Sequence, residues 1–566
     1  MPLISDPHGM QPLLDSVKLR ELADCLNGGS TLEQLVERWS FNSTQDLLAT
    51  SARSMQLEWL ESEELEVGDH SLDGFPAKLI HRHTVFPIER GDGWLRLAVS
   101  NPFDFAAIDS VASALEVEVR PVMTTTETIQ RLIKRHLGVG SETIDGLIAL
   151  QRQQAGDVEM LEGIDPDSLE DAEEAQQASV VRLVNEILSE AIEARASDIH
   201  IESQEAGLKI RHRIDGVLQR QPTPSEMNQF RAAIISRLKI MAKMNIAEKR
   251  VPQDGRIKLR VSGREIDVRV SVIPMLHGES VVMRVLDKSN LKFSLKGIGM
   301  PDSVYDKFQK LIRLPHGIVL VTGPTGSGKT TTLYSALSEI KSEDIKIVTT
   351  EDPIEYQLEG INQIQVHTKV GLTFAACLRA ILRHDPDVIL VGEIRDLETA
   401  ENATQASLTG HMVFSTLHTN DSAGAFMRLG DMGVEPFLVA STVEGVMAQR
   451  LVRVLCEECK EPYQPSQEDL PEDFPIEARA NPDLMLYRPV GCECCRRTGY
   501  RGRIGIYELL VTNDEIRHLI TQACTSDVIK QAAIRNGMET LRMDGWHKAI
   551  RGITTVDEVL RVTKAD

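Results

Sequence analysis

A glycine-rich octapeptide in this 566-residue chain constrains its fold more than any other feature. The octapeptide, GPTGSGKT at residues 323–330, follows the apolar run 317–321 and precedes a stretch with helical spacing. Glycines at these positions let consecutive backbone N–H groups turn towards phosphate oxygens at a helix N-terminus, where the helix dipole adds positive charge. The pattern is a complete Walker A motif and predicts a strand–loop–helix unit that binds a nucleotide. A flexible glycine loop is the alternative, but it requires neither the flanking strand nor the helix.

The side chains of the motif are expected to share the task of holding ATP. Lys329 is predicted to reach the β- and γ-phosphates, and Thr330 to ligate Mg²⁺. The candidate ATP-binding residues run from the first glycine of the motif to the second threonine after it: Gly323, Pro324, Thr325, Gly326, Ser327, Gly328, Lys329, Thr330 and Thr331.

Polar residues that suit phosphoryl transfer follow other apolar runs in the same part of the chain. They are Glu393 after the run 388–391, Glu351 after the run 345–350, and His418 within the run 411–420. Because the carboxyl ends of parallel strands line the ligand crevice, these side chains are expected to converge on the nucleotide. Carboxylates there can hold a metal ion and polarise a water. From the residues alone, solvated loop acids and a structural histidine stay open as alternatives.

The charge of the chain is distributed unevenly. The formal net charge of -22 disfavours attraction of the whole surface to nucleic acid or anionic lipid. Nine acids and no Lys or Arg lie between Asp157 and Glu174, which predicts a solvated linker; an acidic tether for a basic partner is the alternative. By contrast, residues 209–284 hold sixteen Lys or Arg and seven acids, a net charge of +9, which indicates a nearby anion.

The chain shows neither a membrane-spanning segment nor a signal sequence. No run approaches the roughly 18 consecutive apolar residues of a membrane helix. Residues 1–10 lack a charged start followed by an apolar region. A cytoplasmic location is therefore expected.

Five of the eight cysteines are clustered, which is typical of a metal site in a reducing compartment. Cys456 with Cys459, and Cys492 with Cys495, form two C-x-x-C pairs that together offer the tetrahedral four-thiolate set of a structural Zn²⁺ site. A redox dithiol and an iron–sulfur cluster are the alternatives. Cys494, beside Cys495, could compete as a ligand.

Several further motifs, taken with the Walker A sequence, give the chain a family resemblance. They are LRHDPDVILVGEIRD (382–396), EDPIEY (351–356), STLHTND (415–421), ASDIHIE (196–202), RIDGVL (213–218) and EKRVPQDGRI (248–257). The chain resembles the ATPases of type II secretion and type IV pilus assembly from about residue 178 onwards. The resemblance implies a homohexameric motor that works beside inner-membrane platform proteins.

The resemblance also assigns roles to particular residues. It implies that Glu393 polarises the attacking water, that Glu351 assists at the metal, and that His418 senses the γ-phosphate. It places Arg269 and Arg284 of the basic segment at the nucleotide, where an arginine that meets developing charge can accelerate turnover by about 10³ to 10⁵.

The expected fold is α/β and multi-domain, with a RecA-like P-loop core. The predicted parts are an N-terminal partner-binding α/β domain (1–137), an acidic linker (138–178), a basic α/β domain (179–292) and the ATPase domain (293–566) with a zinc-binding insertion (453–500). The N-terminal domain and the four cysteines disfavour pilus retraction, since retraction ATPases generally lack both.

Three questions stay open. Type II secretion and pilus extension are both compatible with the motifs. Related pilus ATPases bind cyclic di-GMP through the N-terminal domain, but residues 50–60 carry no clear Arg-Leu-Gly signature, so no such binding is expected. The rival functions are a nucleic-acid motor, disfavoured by an aromatic content of 4%, and a nucleotide-binding scaffold without turnover.

Overall fold

The structure, a computed structural model, describes residues 13–28, 32–60, 67–68, 70–137, 166–287 and 293–564. It divides into two compact units, residues 1–287 and 288–566, which we call the N-terminal unit and the C-terminal unit. The predicted boundary at 292/293 lies close to this division.

The N-terminal unit is mixed α/β. Its helices are α1 (Ser16–Gly28), α2 (Leu32–Trp39), α3 (Thr44–Ser54), α4 (Ala77–His83), α5 (Phe105–Leu115), α6 (Thr126–Leu137), α7 (Pro166–Glu193) and α8 (Arg231–Met241). Its strands are β1 (Glu58–Trp59), β2 (Val85–Gly91), β3 (Trp94–Val99), β4 (Glu118–Met123), β5 (Ala196–Gln204), β6 (Gly207–Ile214), β7 (Val217–Arg220), β8 (Gln253–Val261), β9 (Arg264–Met275) and β10 (Gly278–Asp287).

These strands form two sheets, each with its own apolar core. The first sheet has the order β1-β4-β3-β2, and α3 to α6 contribute to its core. The second sheet has the order β7-β6-β5-β10-β9-β8 and is antiparallel. Along β9, apolar residues of the core alternate with polar ones, so one face packs against α7 and α8 and the other carries polar side chains.

The predicted acidic linker is helical where the structure describes it. Helix α7 begins at Pro166, and residues 138–165 lie outside the described residues. Proline suits the first helical position because its fixed φ is already helical and it needs no N–H partner there.

The C-terminal unit contains the larger sheet. Its helices are α9 (Asp302–Leu311), α10 (Lys329–Ile340), α11 (Phe374–Ile381), α12 (Leu397–Leu408), α13 (Gly424–Asp431), α14 (Pro436–Thr442), α15 (Ile476–Arg479), α16 (Asp514–Thr521), α17 (Ser526–Arg535), α18 (Leu541–Ile550) and α19 (Val556–Val562). Its strands are β11 (Gly317–Thr322), β12 (Ile347–Glu351), β13 (Asn362–Gln365), β14 (Val388–Val391), β15 (Met412–Leu417), β16 (Val443–Leu455), β17 (Lys460–Tyr463), β18 (Leu486–Pro489) and β19 (Tyr500–Val511).

The large sheet has the order β13-β12-β14-β15-β11-β16-β19, and only its edge strand β19 is antiparallel to its neighbour. Alternate residues of β11 enter different cores: Ile318 and Leu320 join one, Val319 and Val321 the other. Both faces of the sheet are therefore covered, which explains why its strands read as continuous apolar runs. The parallel strands end at one edge, where a ligand crevice is expected.

Strands β17 and β18 form a separate two-stranded sheet in the cysteine-rich segment. Among the described residues, no helix has the length and apolar character needed to cross a bilayer.

Candidate active site

The loop at residues 323–328, which we call the phosphate loop, joins β11 to α10 as the Walker A motif predicts. Gly323 and Gly328 have φ of 149° and 90°. A Cβ at Gly323 would lie 2.6 Å from the Gln449 carbonyl oxygen, and one at Gly328 would lie 2.8 Å from Gln449 Nε2. Both positions therefore require glycine for their conformation and for the close approach of β16. The N-terminus of α10 opens directly from this loop, as an anion site needs.

Lys329 lies within the phosphate loop. Its Nζ donates to the carbonyl oxygens of Gly323 at 2.7 Å and Pro324 at 3.1 Å. Burial lowers the pKa of Lys329 to about 8; the negative charge of Glu393 opposes this shift and the positive charge of Arg450 reinforces it. A phosphate in the loop would supply a stronger acceptor for this ammonium than a carbonyl does.

Glu393 and His418 meet at the same edge of the sheet. The Glu393 side chain is only 12% exposed, pairs with Arg395 Nη2 at 2.5 Å, and has one carboxylate oxygen 3.5 Å from His418 Nε2. Thr416 holds the flanking backbone, since its hydroxyl donates to the Gly392 carbonyl at 2.7 Å. The structure thus brings together two of the predicted residues and adds Arg395, whose pKa is raised by its hydrogen bond to Glu393.

Glu351 ends β12 and is buried, with 4% exposure. Its carboxylate accepts hydrogen bonds from the Tyr334 hydroxyl, from Thr349 Oγ1 at 2.6 Å and from Gln363 Nε2 at 3.1 Å. Burial and the nearby Glu351 charge raise the pKa of Tyr334, which keeps its proton as a donor. Both oxygens of Glu351 are thus engaged by protein donors. The sequence did not single out Tyr334 or Gln363, because both reach Glu351 from other elements.

Three neighbouring strands anchor the loop that carries His418. Thr419 N donates to Thr322 Oγ1 at 2.9 Å, at the end of β11. Ser422 N donates to Glu508 of β19 at 2.8 Å, and burial raises the pKa of that carboxyl. Arg450 of β16 donates from Nη2 to the Asn420 carbonyl at 2.9 Å. No local sequence pattern pointed to Arg450, which stands in the middle of the long strand β16.

The predicted arginines lie in the N-terminal unit, on the polar face of its second sheet. Arg256 of β8 is opposite Arg269 of β9, and Arg269 is opposite Arg284 of β10. We call these three residues the arginine row. Like charges directly opposite each other are destabilising, so the row favours an anion. Arg256 is an addition to the predicted pair, visible only in the strand register.

An aspartate orients one end of the arginine row. Asp198 of β5 is opposite Arg284, and Arg284 Nε donates to it at 3.0 Å. Asp198 also accepts from the Ser197 hydroxyl at 2.8 Å and lies 3.7 Å from Arg213 Nε. One carboxylate therefore contacts two guanidinium groups, Arg284 of the arginine row and Arg213 of β6.

The four cysteines of the two C-x-x-C pairs converge. Their sulfur atoms all lie within 4.8 Å of one another. Sulfur separations are 3.8 Å for Cys456–Cys492, Cys459–Cys495 and Cys492–Cys495. Tetrahedral Zn²⁺ with Zn–S bonds of about 2.3 Å sets its sulfur atoms about 3.8 Å apart. The donor set and its spacing therefore fit a zinc ion.

Cys494 lies outside this cluster. Its exposed sulfur accepts a hydrogen bond from Arg501 Nη1 at 2.7 Å. Although burial acts to raise it, hydrogen bonds from the amides of Cys492 and Gly499 lower the pKa of Cys495 to about 7. Cys495, rather than Cys494, is therefore the thiol placed and polarised as a ligand.

The phosphate loop, Glu393 and His418 at one edge of a mostly parallel sheet define a P-loop ATPase. The sequence profile of the type II/IV secretion system protein family matches residues 173–561, and that of the MshEN domain matches residues 55–143. The chain belongs to the type II/IV secretion system protein family and is an ATP hydrolase. The family resemblance and the α/β multi-domain fold are thereby confirmed.

Relatives from both secretion and pilus systems match the chain. Type II secretion system protein E of Xanthomonas campestris pv. campestris is 45% identical, over 97% of this chain and 96% of that protein. Type II secretion system ATPase E of Vibrio cholerae is 53% identical, over 69% of this chain and 77% of that protein. Type IV pilus assembly ATPase PilB of Myxococcus xanthus is 44% identical, over 87% and 86%.

Proposed function

We propose that this chain works as a cytoplasmic homohexamer at the inner membrane, where ATP hydrolysis drives the assembly of pseudopilins for type II protein secretion. The observation that carries this proposal is the meeting of Lys329, Glu393 and His418 at one sheet edge, within a chain that matches a type II secretion protein E almost end to end. Pilin assembly for type IV pilus extension is the second candidate, favoured by the match to PilB.

In this proposal the ATP phosphates lie in the phosphate loop. Backbone N–H groups and Lys329 neutralise their charge, and residues 323–331 form the binding segment around them. Thr330, in the first turn of α10, would hold Mg²⁺, because a hydroxyl oxygen is a donor that this ion prefers. Mg²⁺ bound there would stabilise the negative charge of the phosphates.

Glu393 is the group we assign to the attacking water. It stands beside Lys329, and one of its oxygens lies 3.5 Å from Nε2 of His418, which we assign to sensing the γ-phosphate. A carboxylate at this edge of the sheet can accept a proton from a water or orient it. Glu351 supports the site from within the sheet; since Tyr334 and Gln363 already engage its oxygens, a metal contact requires one of these hydrogen bonds to be exchanged.

We assign Arg269 and Arg284 to the charge that develops as the γ-phosphate leaves. Their strand register gives two guanidinium groups on one face, and Asp198 fixes the direction of Arg284. Closure of the arginine-bearing domain on ATP, and its release after hydrolysis, would convert chemistry into domain rotation.

We assign Zn²⁺ to Cys456, Cys459, Cys492 and Cys495. A closed set of four thiolates leaves no open position, so the ion has a structural role. Structural zinc contributes about 10 to 16 kcal/mol of apparent binding free energy, which suits a segment whose elements are as short as the β17–β18 sheet and α15.

The partners in this proposal are further copies of the chain and inner-membrane platform proteins of the secretion apparatus, reached through residues 1–137. Nucleic acid is not among them. Binding of cyclic di-GMP by the N-terminal domain is not part of the proposal.

The proposal is tested by deleting the gene in its native cell and restoring it as wild type, as Glu393→Gln, or as Glu398→Gln, a change at an exposed glutamate of α12. Wild type and Glu398→Gln should restore release of secreted enzymes, and Glu393→Gln should not. Restoration of surface pili instead of enzyme release would replace type II secretion by pilus extension. Unchanged secretion and piliation after deletion would contradict both.

A further inference from the structure

Strand β16 brings two residues alongside the phosphate loop. It runs parallel to β11, and Ala448 is opposite Thr322, the last residue of β11. The next residues of β16, Gln449 and Arg450, therefore extend past the end of β11, where the loop begins. Neither residue belongs to the sequence motifs that define the site.

Gln449 fixes β16 against the loop. It is 1% exposed, and its Oε1 accepts from Thr332 Oγ1 of α10 at 2.7 Å. The close approaches of Gln449 to Gly323 and Gly328 leave no space for a side chain at either glycine. Because Gln449 is held so closely, the backbone of Arg450 has a defined position beside the loop.

Arg450 is a half-buried cation that contacts only neutral oxygens. Its Nη2 donates to the carbonyl of Asn420 at 2.9 Å and to its Oδ1 at 3.3 Å, and its Nη1 donates to the Gln449 carbonyl at 3.1 Å. It forms no ion pair with the described residues of its unit. Burial lowers the pKa of Arg450, while Glu508 and Asp421 act in the opposite direction.

The guanidinium also borders the phosphate loop itself. Its Nη1 would lie 3.0 Å from a Cβ at Gly323, and its charge lowers the pKa of Lys329. An anion stabilises a partly desolvated cation better than carbonyl oxygens do. Negative charge in the loop would therefore compete with Asn420 for Arg450.

Asn420 lies two residues after His418. The other hydrogen bonds that hold this loop come from groups that are not cations. Thr419 is held by the hydroxyl of Thr322, and Ser422 by the buried carboxylate of Glu508. Among these anchors, Arg450 alone is a cation placed beside the phosphate loop. A shift of the Arg450 guanidinium would therefore displace the segment that positions His418 relative to Glu393.

We propose that Arg450 is a positioning residue for ATP hydrolysis, which links the phosphate loop to the His418 loop through Asn420. The inference rests on the role proposed above for His418. Through this link, the binding of phosphates in the phosphate loop would set the position of His418 relative to Glu393 within one chain.

The test compares Arg450→Met, His418→Ala, the double variant, and Arg535→Met as a control at an exposed arginine of the same unit. Steady-state phosphate release gives kcat and KM, and titration with a fluorescent ATP analogue gives affinity. Arg450→Met should lower kcat about tenfold, within the usual range for coupling between sites, and change affinity less than about threefold. Arg535→Met should match wild type.

The double variant separates positioning from a general loss of structure. If Arg450 acts through His418, adding Arg450→Met to His418→Ala should lower kcat no further. A second tenfold loss would overturn the inference, and so would a full rate in Arg450→Met while His418→Ala is slow. A full rate in His418→Ala would instead overturn the proposed role of His418, and with it this route.

Arg450→Lys and Arg450→Gln provide a check if the methionine variant folds poorly. Lysine keeps the charge but not the planar fork that meets the Gln449 carbonyl through Nη1 and Asn420 through Nη2, so it should stay below one third of the wild-type kcat. Arg450→Gln should also remain slow, because it has no charge to respond to phosphate. Wild-type kcat in both variants would contradict the link.

Discussion

The phosphate loop of the C-terminal unit and the arginine row of the N-terminal unit both gather positive charge, but they do so by different physics. The loop uses backbone N–H groups, glycines with positive φ and one desolvated lysine. The row uses side-chain charges on neighbouring strands, partly neutralised by Asp198. The loop is pre-formed by local sequence, whereas the row exists only after strands distant in sequence have paired.

This difference suggests a division of tasks. A rigid cradle of N–H groups suits binding, since its donors cost little to order. Flexible guanidinium groups suit the charge that appears as phosphate leaves, since they can stabilise the transition state more than the ground state. We therefore expect loop variants to lose affinity and row variants to lose rate.

The largest effect is expected for Lys329→Ala. The change removes the ammonium that lies in the phosphate loop, so both ATP binding and phosphate release should fall to background. Lys341→Ala, at the other end of α10, is the matched control and should behave as wild type. Normal turnover in Lys329→Ala would refute the assignment of the loop.

Arg269→Ala should separate rate from affinity. Phosphate release should fall by about 10³, the lower end of the effect of an arginine on phosphoryl transfer, while nucleotide affinity stays nearly intact. Arg260→Ala, an exposed arginine of β8 in the same sheet, serves as control. A full rate in Arg269→Ala would remove the arginine row from catalysis.

A smaller effect is expected for Asp198→Asn. This variant keeps the size of the side chain but weakens the charge-assisted hydrogen bond that directs Arg284. We expect a roughly tenfold loss of kcat with unchanged affinity, because one arginine of the row loses its orientation. Loss of affinity instead of rate would mean that the row helps to bind ATP before any chemistry.

The mildest effect is the pH dependence of ATP affinity. With a pKa of about 8, Lys329 loses its proton as pH rises through that value, well below the range of an ordinary lysine. Affinity should therefore fall above pH 8, by at most about tenfold per pH unit. The charged groups that act on Lys329 are Glu393, which raises its pKa, and Arg450, which lowers it; Glu393→Gln should move the fall to lower pH. Constant affinity up to pH 10 would contradict this.

The sequence predicted the parts of the site that depend on neighbours along the chain. β11, the phosphate loop and α10 follow from one continuous motif, and Glu393 and His418 follow from their places after apolar strands. Local sequence information was sufficient for these residues because the carboxyl ends of parallel strands meet at the same edge of the sheet.

The sequence could not predict contacts that depend on register or on side chains from distant elements. Burial of Glu351 under Tyr334 and Gln363 requires the packing of α10 and β13 around β12. Arg256 joins Arg269 only through the pairing of β8 with β9. The helical start at Pro166 was hidden because an acidic composition is typical of both solvated helices and linkers.

The central claim is that Glu393 activates water for hydrolysis of ATP held by the phosphate loop. The most direct measurement is phosphate release from MgATP by the full chain, wild type against Glu393→Gln, with ATP binding measured in parallel. The account predicts that the variant binds ATP and loses at least about 10² in kcat, as expected when a general base is removed. A variant that binds ATP and turns it over at the wild-type rate would contradict the account.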